Sequence, residues 1–575
     1  MDVVVARSVA DVDGWLARAV PTSFVAVDTE TTGMDPWRSR IRSIQLAVGP
    51  DQPVLVVDTD RLSSGVVAQL LDDTGVLKVF HNAAFDLRML WQAGLDVRRV
   101  ADTMLAQQLL DGVSATPVGA SLQAIARVRL GVELDKSVVA SFGDAALGDA
   151  QIRYAAEDAR VTWDIFAQQH RELEAQGMVA VARCEFEATV ALAAMQLRGI
   201  GIDGESWRRV LSVTERRLPD LRAAAQLALV SDRSPQTLFG PEPVNLDSPE
   251  QLLAALARLG VTVDSTREAV LRDHTDNPAV TAVLAYRQAA KVVSNWGGDW
   301  IDRTCHPVTG RIHAHVQQIV GTGRMAHSDP NLTQIPAEPA YRGCFVPAPG
   351  NHLVVADYSQ QELRVLAAVS GDQALARVFT SGADLHVQTA ATVFGVLPDQ
   401  VSAAQRKAAK ALNFGLMYGM GAAGFARATG TDVDQARQTM QTYFAAFPDV
   451  AAWLRRIESQ ARRTHRVNTP LGRGRYVSDG GTFARNAPIQ GAGADMTKLA
   501  LAGVDRVMKK QFAITPQGPV GPVLTVHDEL VVEVRRDDAE AAAGLIRAEM
   551  LAAAEVILGA VPAKVDVQIG LSWAA

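Results

Sequence analysis

Over residues 1–185, short apolar runs of strand length alternate with longer stretches whose apolar positions recur every three or four residues. That alternation predicts strands interleaved with helices, an α/β arrangement around a mixed sheet. A helix over about 185–198 then leads into a charged, Ala- and Leu-rich region, interrupted by SDRSPQTLFGPEPVNLDSPEQL and running to about residue 295. Helical periods persist there without strand alternation, so this part reads as helical. Beyond it, two apolar runs of strand character, one ending in VVADYSQQELR and one in VLTVHDELVVEV, flank a helical stretch dense in alanine. The second reads as strand, turn and strand, with acids and His527 presented at the bend.

Each of those runs ends in an aspartate, Asp357 and Asp528. Taken singly, an aspartate there caps the element that follows. Two carboxylates brought within about 4 Å repel by roughly 4 kcal/mol at an effective dielectric of 20, so a folded site holding both needs divalent cations between them. Two hard cations on two aspartates suit in-line phosphoryl or nucleotidyl transfer. Between the two runs, AAQRKAAKALNFGLMYGMG repeats Arg406, Lys410, Phe414 and Tyr418 every four residues, which predicts one helical face. That face is either amphipathic, with a solvated basic end and a buried aromatic end, or a surface for a nucleoside triphosphate, cations on phosphate and rings by sugar and base. Ser359 and Glu362 have the spacing of a capping box opening a helix over 363–369.

A second group of acids lies earlier. FVAVDTETTG ends a strand with Asp28 and Glu30 on one side, because strand side chains alternate. VFHNAAFD opens a helix carrying Asp86, and YAAED puts Tyr154 and Asp158 on one helical face. Taken singly, each of these acids reads as a cap or a solvated charge.

Taken together, these segments resemble the family A DNA polymerases of the DNA polymerase I type. DYSQQELR is similar to motif A of that family, residues 406–419 to motif B and VHDEL to motif C. TGRMAHSDPNLTQIP (322–336), GADLH (382–386), NAPIQGAGAD (486–495) and IGLSW (569–573) also match, over nearly the whole chain. The early acids resemble the proofreading 3′–5′ exonuclease domain of the same enzymes, in its tyrosine-bearing subclass.

The resemblance implies a ribonuclease H-like α/β exonuclease domain over 1–185 and an α+β right-hand polymerase after it. The thumb would take 186–295, the palm 296–369 and 468–575, and the fingers 370–467. It implies that Asp357 and Asp528 bind two magnesium ions, manganese able to substitute, with Glu529 in support. Asp28, Glu30, Asp86 and Asp158 would bind two more, with Tyr154 orienting the attacking water. His386, Arg406, Lys410 and Phe414 would line the incoming deoxynucleoside triphosphate, Tyr418 would sit beside the templating base, and Glu362 would exclude a ribose 2′-hydroxyl. Arg324, Asn486, Gln490 and His527 would contact primer–template DNA, and a single-stranded 3′ end would enter the exonuclease site. A phage- or actinobacterial-like monomer in the cytoplasm is expected, nucleoid-associated or in an infected cell.

Departures from the family pattern are Met325, Ala326 and His327 for Leu, Ser and Ser, and Gln361 for an aliphatic residue. The chain also begins almost directly at the exonuclease, which leads to the expectation of no 5′ nuclease domain and no removal of RNA primers. A single-subunit RNA polymerase shares the aspartate pair, but Glu362 and the intact exonuclease acids argue against it. A catalytically dead scaffold would have lost a metal acid, and none is lost.

At 575 residues the chain has room for three or four domains. Its net charge of −7 argues against nucleic acid only if the cations are dispersed, and they cluster. Arg462, Arg463, Arg466, Arg473 and Arg475 share one acid-free stretch, and Arg406, Lys407 and Lys410 form another, so both are expected to contact phosphates. Three widely spaced cysteines predict neither disulfides nor a zinc site. No apolar run is long enough to span a bilayer and no signal core is visible, so no membrane partner is expected.

Overall fold

The computed structural model describes residues 1–19, 23–135, 142–143, 146–238, 240–478 and 480–575, with the side chains of residues 19 and 269 excepted. The expected mixed sheet is present in the first third. Its six strands run in the order Val3–Ala6, Val54–Asp58, Ile41–Ala47, Phe24–Thr31, Leu77–Phe80 and Val100–Asp102. Phe24–Thr31 is antiparallel to Ile41–Ala47 and parallel to Leu77–Phe80, so the strand bearing Asp28 and Glu30 is central. Helix Asp149–Ala175 crosses this sheet on Ala156 and Ala159, whose small side chains let the backbones approach and bring Asp158 over the strand.

Helix Val179–Arg198 carries the chain out of this domain and is buried along most of its length. It packs on helix Ala83–Gln92 on one side and on the 31-residue helix Thr482–Phe512 on the other. The helical region follows as Gly204–Ala228, Pro249–Arg258 and Pro278–Trp296, which share an apolar core around Leu252, Val280 and Val283.

The second sheet is antiparallel, in the order Gly521–Val526, Glu529–Arg535, Asn351–Tyr358 and Val565–Gly570. Helices Thr482–Phe512 and Ala539–Leu558 pack with it and with each other. Between its first two strands in the chain lie helices Gln373–Thr380, Leu385–Phe394, Ala403–Gly415, Ala422–Thr429, Val433–Ala446 and Pro448–Thr464. Among the described residues no helix is long and apolar enough to cross a membrane. All three cysteines are free thiols.

One buried ionic cluster joins the parts. Glu185 on the connecting helix accepts from Lys498 Nζ at 2.6 Å and pairs with Arg473, whose Nε donates to Asp495 at 2.7 Å; all four side chains are fully buried. Burial alone would push the Glu185 carboxyl up, but Lys498 and Arg473 outweigh it and hold it below the usual range. Lys498 also donates to the carbonyl of Gly323 at 2.8 Å, fixing the backbone immediately before Arg324.

This corrects the expectation that Arg466, Arg473 and Arg475 contact phosphates. Arg473 and Arg475 are interior, and Arg466 is tied to Gln176 and Asn468. The stretch looked acid-free because its partners, Glu185 and Asp495, come from elsewhere in the chain. Only Arg462 and Arg463 remain exposed.

Removing one partner of a buried pair leaves the other charge uncompensated. Glu185→Ala is therefore expected to lower stability by about 3–5 kcal/mol in denaturant titration. Asp299→Ala, which breaks an exposed pair with Arg303 at 2.9 Å, should cost no more than about 1 kcal/mol. Equal losses would mean the cluster does not hold the parts together.

Candidate active sites

The first site sits at the end of the central strand of the mixed sheet. Alternation puts Asp28 and Glu30 on one face, and Asp158 descends from the crossing helix, so that one carboxylate oxygen from each of the three lies within 4.8 Å of the others. Asp86 approaches from helix Ala83–Gln92 and is held by the Thr29 hydroxyl, which donates to it at 2.6 Å. Tyr154, one turn before Asp158, hydrogen-bonds to it, and burial beside these acids drives the phenol far above its ordinary pKa. Burial, reinforced by mutual repulsion, pushes Glu30 up to about 8 and Asp28 well above its usual value. Asp86 rises to about 7, through burial. Such a group of oxygens fits hard divalent cations, which would replace protons as the source of positive charge.

Sequence reasoning missed Thr29 and Asp102. Asp102 caps helix Thr103–Asp111 and also accepts from the backbone N–H of Ala83 at 2.8 Å, so it sets the start of the helix that presents Asp86. Its spacing to Asp86 has no period that would signal this.

The second site opens above the antiparallel sheet. Asp357 is the penultimate residue of strand Asn351–Tyr358, directly opposite Glu529 on one neighbour and Asp566 on the other. Asp528 stands in the tight turn between Gly521–Val526 and Glu529–Arg535, where His527 takes a left-handed backbone, φ +59°. Burial, then the charges of Asp528 and Glu529, push Asp357 up to about 7; Asp528 is raised too, by burial. Glu529 is already engaged: Trp573 Nε1 donates to it at 2.6 Å and Arg342 lies 3.2 Å away while stacking over the Trp573 ring. Arg342 carried no sequence signal.

Asp357, Asp528, Arg324, Glu362, His386, Lys410, Phe414 and His527 all line one cleft of about 560 Å³. His386 is half of a contact with Asn413 at 3.1 Å, and Asn413 is held in turn by Thr389. Glu362 pairs with Arg324 and accepts from the Tyr418 hydroxyl at 2.8 Å, which itself accepts from Gln490 at 3.3 Å. Glu529, Arg406, Tyr418, Asn486 and Gln490 do not line the cleft itself. Arg406 is exposed and paired with Asp384 at 2.8 Å.

Two local expectations are corrected. The motif B helix ends at Gly415, so Tyr418 lies in the turn beyond it rather than on the same helical face. The capping box of Ser359 and Glu362 does not form: helix Gln361–Ser370 starts after Gln360 in a left-handed conformation, φ +57°, with no side-chain cap. Glu362 is spent on Arg324 and Tyr418 instead. Gln361 turns inward, donating to the Gly493 carbonyl at 3.2 Å, and a Cβ at Gly493 would lie 2.5 Å from its Oε1. His327 is buried, with burial lowering its ring to about 4.

A carboxylate-bearing α/β domain, joined to a helix-flanked antiparallel sheet with paired aspartates over a cleft, is an architecture suited to metal-assisted phosphodiester chemistry. The sequence model described as 3′-5′ exonuclease matches residues 8–174, and that of DNA polymerase family A matches residues 222–575. The chain belongs to DNA polymerase family A. DNA polymerase I of Pseudomonas aeruginosa is 33% identical, over 98% of this chain and 65% of its own length. DNA polymerase I of Aquifex aeolicus is 29% identical, over 97% of each. The chain thus spans just under two thirds of the Pseudomonas protein. Among solved structures, the POL domain of Pol1 from M. smegmatis, in complex with DNA primer-template and dNTP, covers 100% of both chains with a TM-score of 0.83 and 28% identity.

Because Ser359 makes no cap, Ser359→Ala should change stability by less than about 0.5 kcal/mol. Loss of a real cap costs about 1 kcal/mol, and a melting loss of that size would restore the capping box.

Proposed function

We propose that the protein is a template-directed DNA polymerase that extends a primer 3′ end with deoxynucleotides and proofreads it with a 3′–5′ exonuclease. The observation that carries this reading is the convergence of Asp357 and Asp528, from two separate strand ends, on one cleft that also holds Lys410, Phe414 and Glu362. In this reading residues 1–185 are the exonuclease, 186–295 the thumb, 296–369 and 468–575 the palm, and 370–467 the fingers. Two magnesium ions, replaceable by manganese, would be held in each site, by Asp357 and Asp528 in one and by Asp28, Glu30, Asp86 and Asp158 in the other, and would supply charge neutralisation for the attacking and leaving oxygens.

The chain's own groups do the rest. Asp357 and Asp528 would hold the metal ions at the base of the cleft, Glu529 backing them while Arg342 and Trp573 fix it. Lys410 offers a point charge to the triphosphate, and Arg406 joins it by leaving its exposed pair with Asp384. Phe414 and His386 pack against the sugar. Glu362, pinned by Arg324 and Tyr418, fills the space of a 2′-hydroxyl. Arg324, His527, Asn486 and Gln490 hold the primer and template, with Tyr418 beside the templating base. In the exonuclease site Asp28, Glu30, Asp86 and Asp158 gather around a single-stranded 3′ end, and Tyr154 aligns the water. The protein works as a monomer in the cytoplasm, in replication or repair.

The two groups of acids stand on different parts of the chain, so their activities should separate. Asp357→Ala is expected to abolish primer extension and leave degradation of single-stranded DNA, and Asp28→Ala with Glu30→Ala should do the reverse. Both activities are read on matched and mismatched 3′ ends. Removal of a mismatched nucleotide at the wild-type rate by the double variant would refute the exonuclease assignment, and extension by Asp357→Ala would refute the polymerase assignment.

A further inference from the structure

Among the described residues the two most exposed Phe, Tyr or Trp side chains are Tyr418 and Phe483, each 43% exposed. They are far apart in the chain, yet the residues next to them meet in space. Gly419, next to Tyr418, faces Thr482, next to Phe483, so closely that a Cβ on Gly419 would lie 2.5 Å from the Thr482 hydroxyl. Phe483 also opens helix Thr482–Phe512, seven residues before Gln490. Two helical turns bring residues seven apart back to nearly the same direction, about 10 Å along the axis. Ala484, Ala487, Pro488 and Ile489 are buried, whereas Phe483, Asn486 and Gln490 are not, and the spacing of these three puts them in one stripe. Gln490 at its inner end bonds Tyr418.

A positive group flanks the outer end. Arg462 packs against Gly480, where a Cβ would lie 3.0 Å from its Cγ, and is 64% exposed. Among the described residues Arg462 pairs with Glu458, at 3.3 Å, and Arg485 contacts the same carboxylate.

We propose that Phe483 is a stacking platform for the unpaired template base next beyond the templating position, with Arg462 on its phosphate. This rests on the polymerase reading, which puts the templating base beside Tyr418. An exposed ring beside an exposed arginine is the pairing that holds single-stranded nucleic acid without reading its sequence: any base offers a π-face, and any backbone a phosphate. The stripe continues the primer–template surface of Asn486 and Gln490 outwards. It gives the enzyme a hold on template before it is copied.

The test is the dissociation constant of the full chain for primer–template DNA with a one-nucleotide or a six-nucleotide 5′ template overhang, without nucleotide. Wild type should bind the long overhang more tightly, and Phe483→Ala should lose about tenfold on it while matching wild type on the short one. Phe483→Trp, which keeps a ring, should retain the gain. Equal weakening of Phe483→Ala on both overhangs, no weakening on either, or failure of Phe483→Trp to retain the gain would overturn the proposal. So would a loss seen only when a downstream strand is annealed, which would assign the ring to the displaced strand. Extension of the short overhang by wild type is run alongside. No extension would bring down the polymerase reading and this inference with it, whereas extension with an overhang gain indifferent to Phe483 would overturn this inference alone.

Discussion

Like charges held together against their repulsion are the constraint on which both sites depend. Asp28, Glu30 and Asp158 meet over one sheet, and Asp357 faces Asp528 and Glu529 over the other. Neither group would assemble by its own attraction. Each is imposed by elements whose stability lies elsewhere: a buried central strand with an alanine-faced helix across it, and an antiparallel sheet with one face sealed by apolar side chains against two helices. The sites are placed where strands end, so that backbone hydrogen bonding fixes the acids while their carboxyl groups project past the apolar layer.

The buried cluster of Glu185, Arg473, Asp495 and Lys498 handles charge in the opposite way. There every cation has its anion, and the group is sealed from water because its charges cancel. Its position gives it a second consequence. Lys498 holds the carbonyl of Gly323, Arg324 follows, and from Arg324 a line of contacts runs through Glu362 and Tyr418 to Gln490. The helix that leaves the first domain is thereby tied to the wall of the cleft over the second sheet.

Much of this was legible in the sequence wherever function depends on local period. Strand alternation gave Asp28 with Glu30, the four-residue step gave Tyr154 with Asp158, and the bend in VHDEL gave Asp528. The misreadings share a physical cause, partners that are distant in the chain. Arg473 and Arg475 looked like a solvent-facing basic run because Glu185 and Asp495 are not nearby in sequence. Ser359 and Glu362 had the spacing of a cap, yet Arg324 and Tyr418 outbid it for Glu362. Arg342, Trp573, Thr29 and Asp102, which orient the acids, show no spacing to the groups they hold. Phe483 was invisible for the same reason, since its meaning comes from a turn around Tyr418 some sixty residues earlier.

Without metal, burial and mutual repulsion oppose ionisation of the carboxylates of the first site, and divalent cations should relieve both. Folded, Glu30 keeps its proton to about pH 8 and Asp86 to about pH 7, whereas unfolded they release it at about pH 4. The folded form therefore binds more protons across that window, and metal-free stability must fall as pH rises through it. The direct measurement is thermal unfolding at pH 8 of the wild type and of a variant with Asp28→Asn and Glu30→Gln, in chelator and in magnesium. The wild type should melt higher in magnesium than in chelator, and in chelator the variant, its amides uncharged, should melt above the wild type. A variant that melts below the wild type in chelator, with a wild type indifferent to magnesium, would contradict the claim.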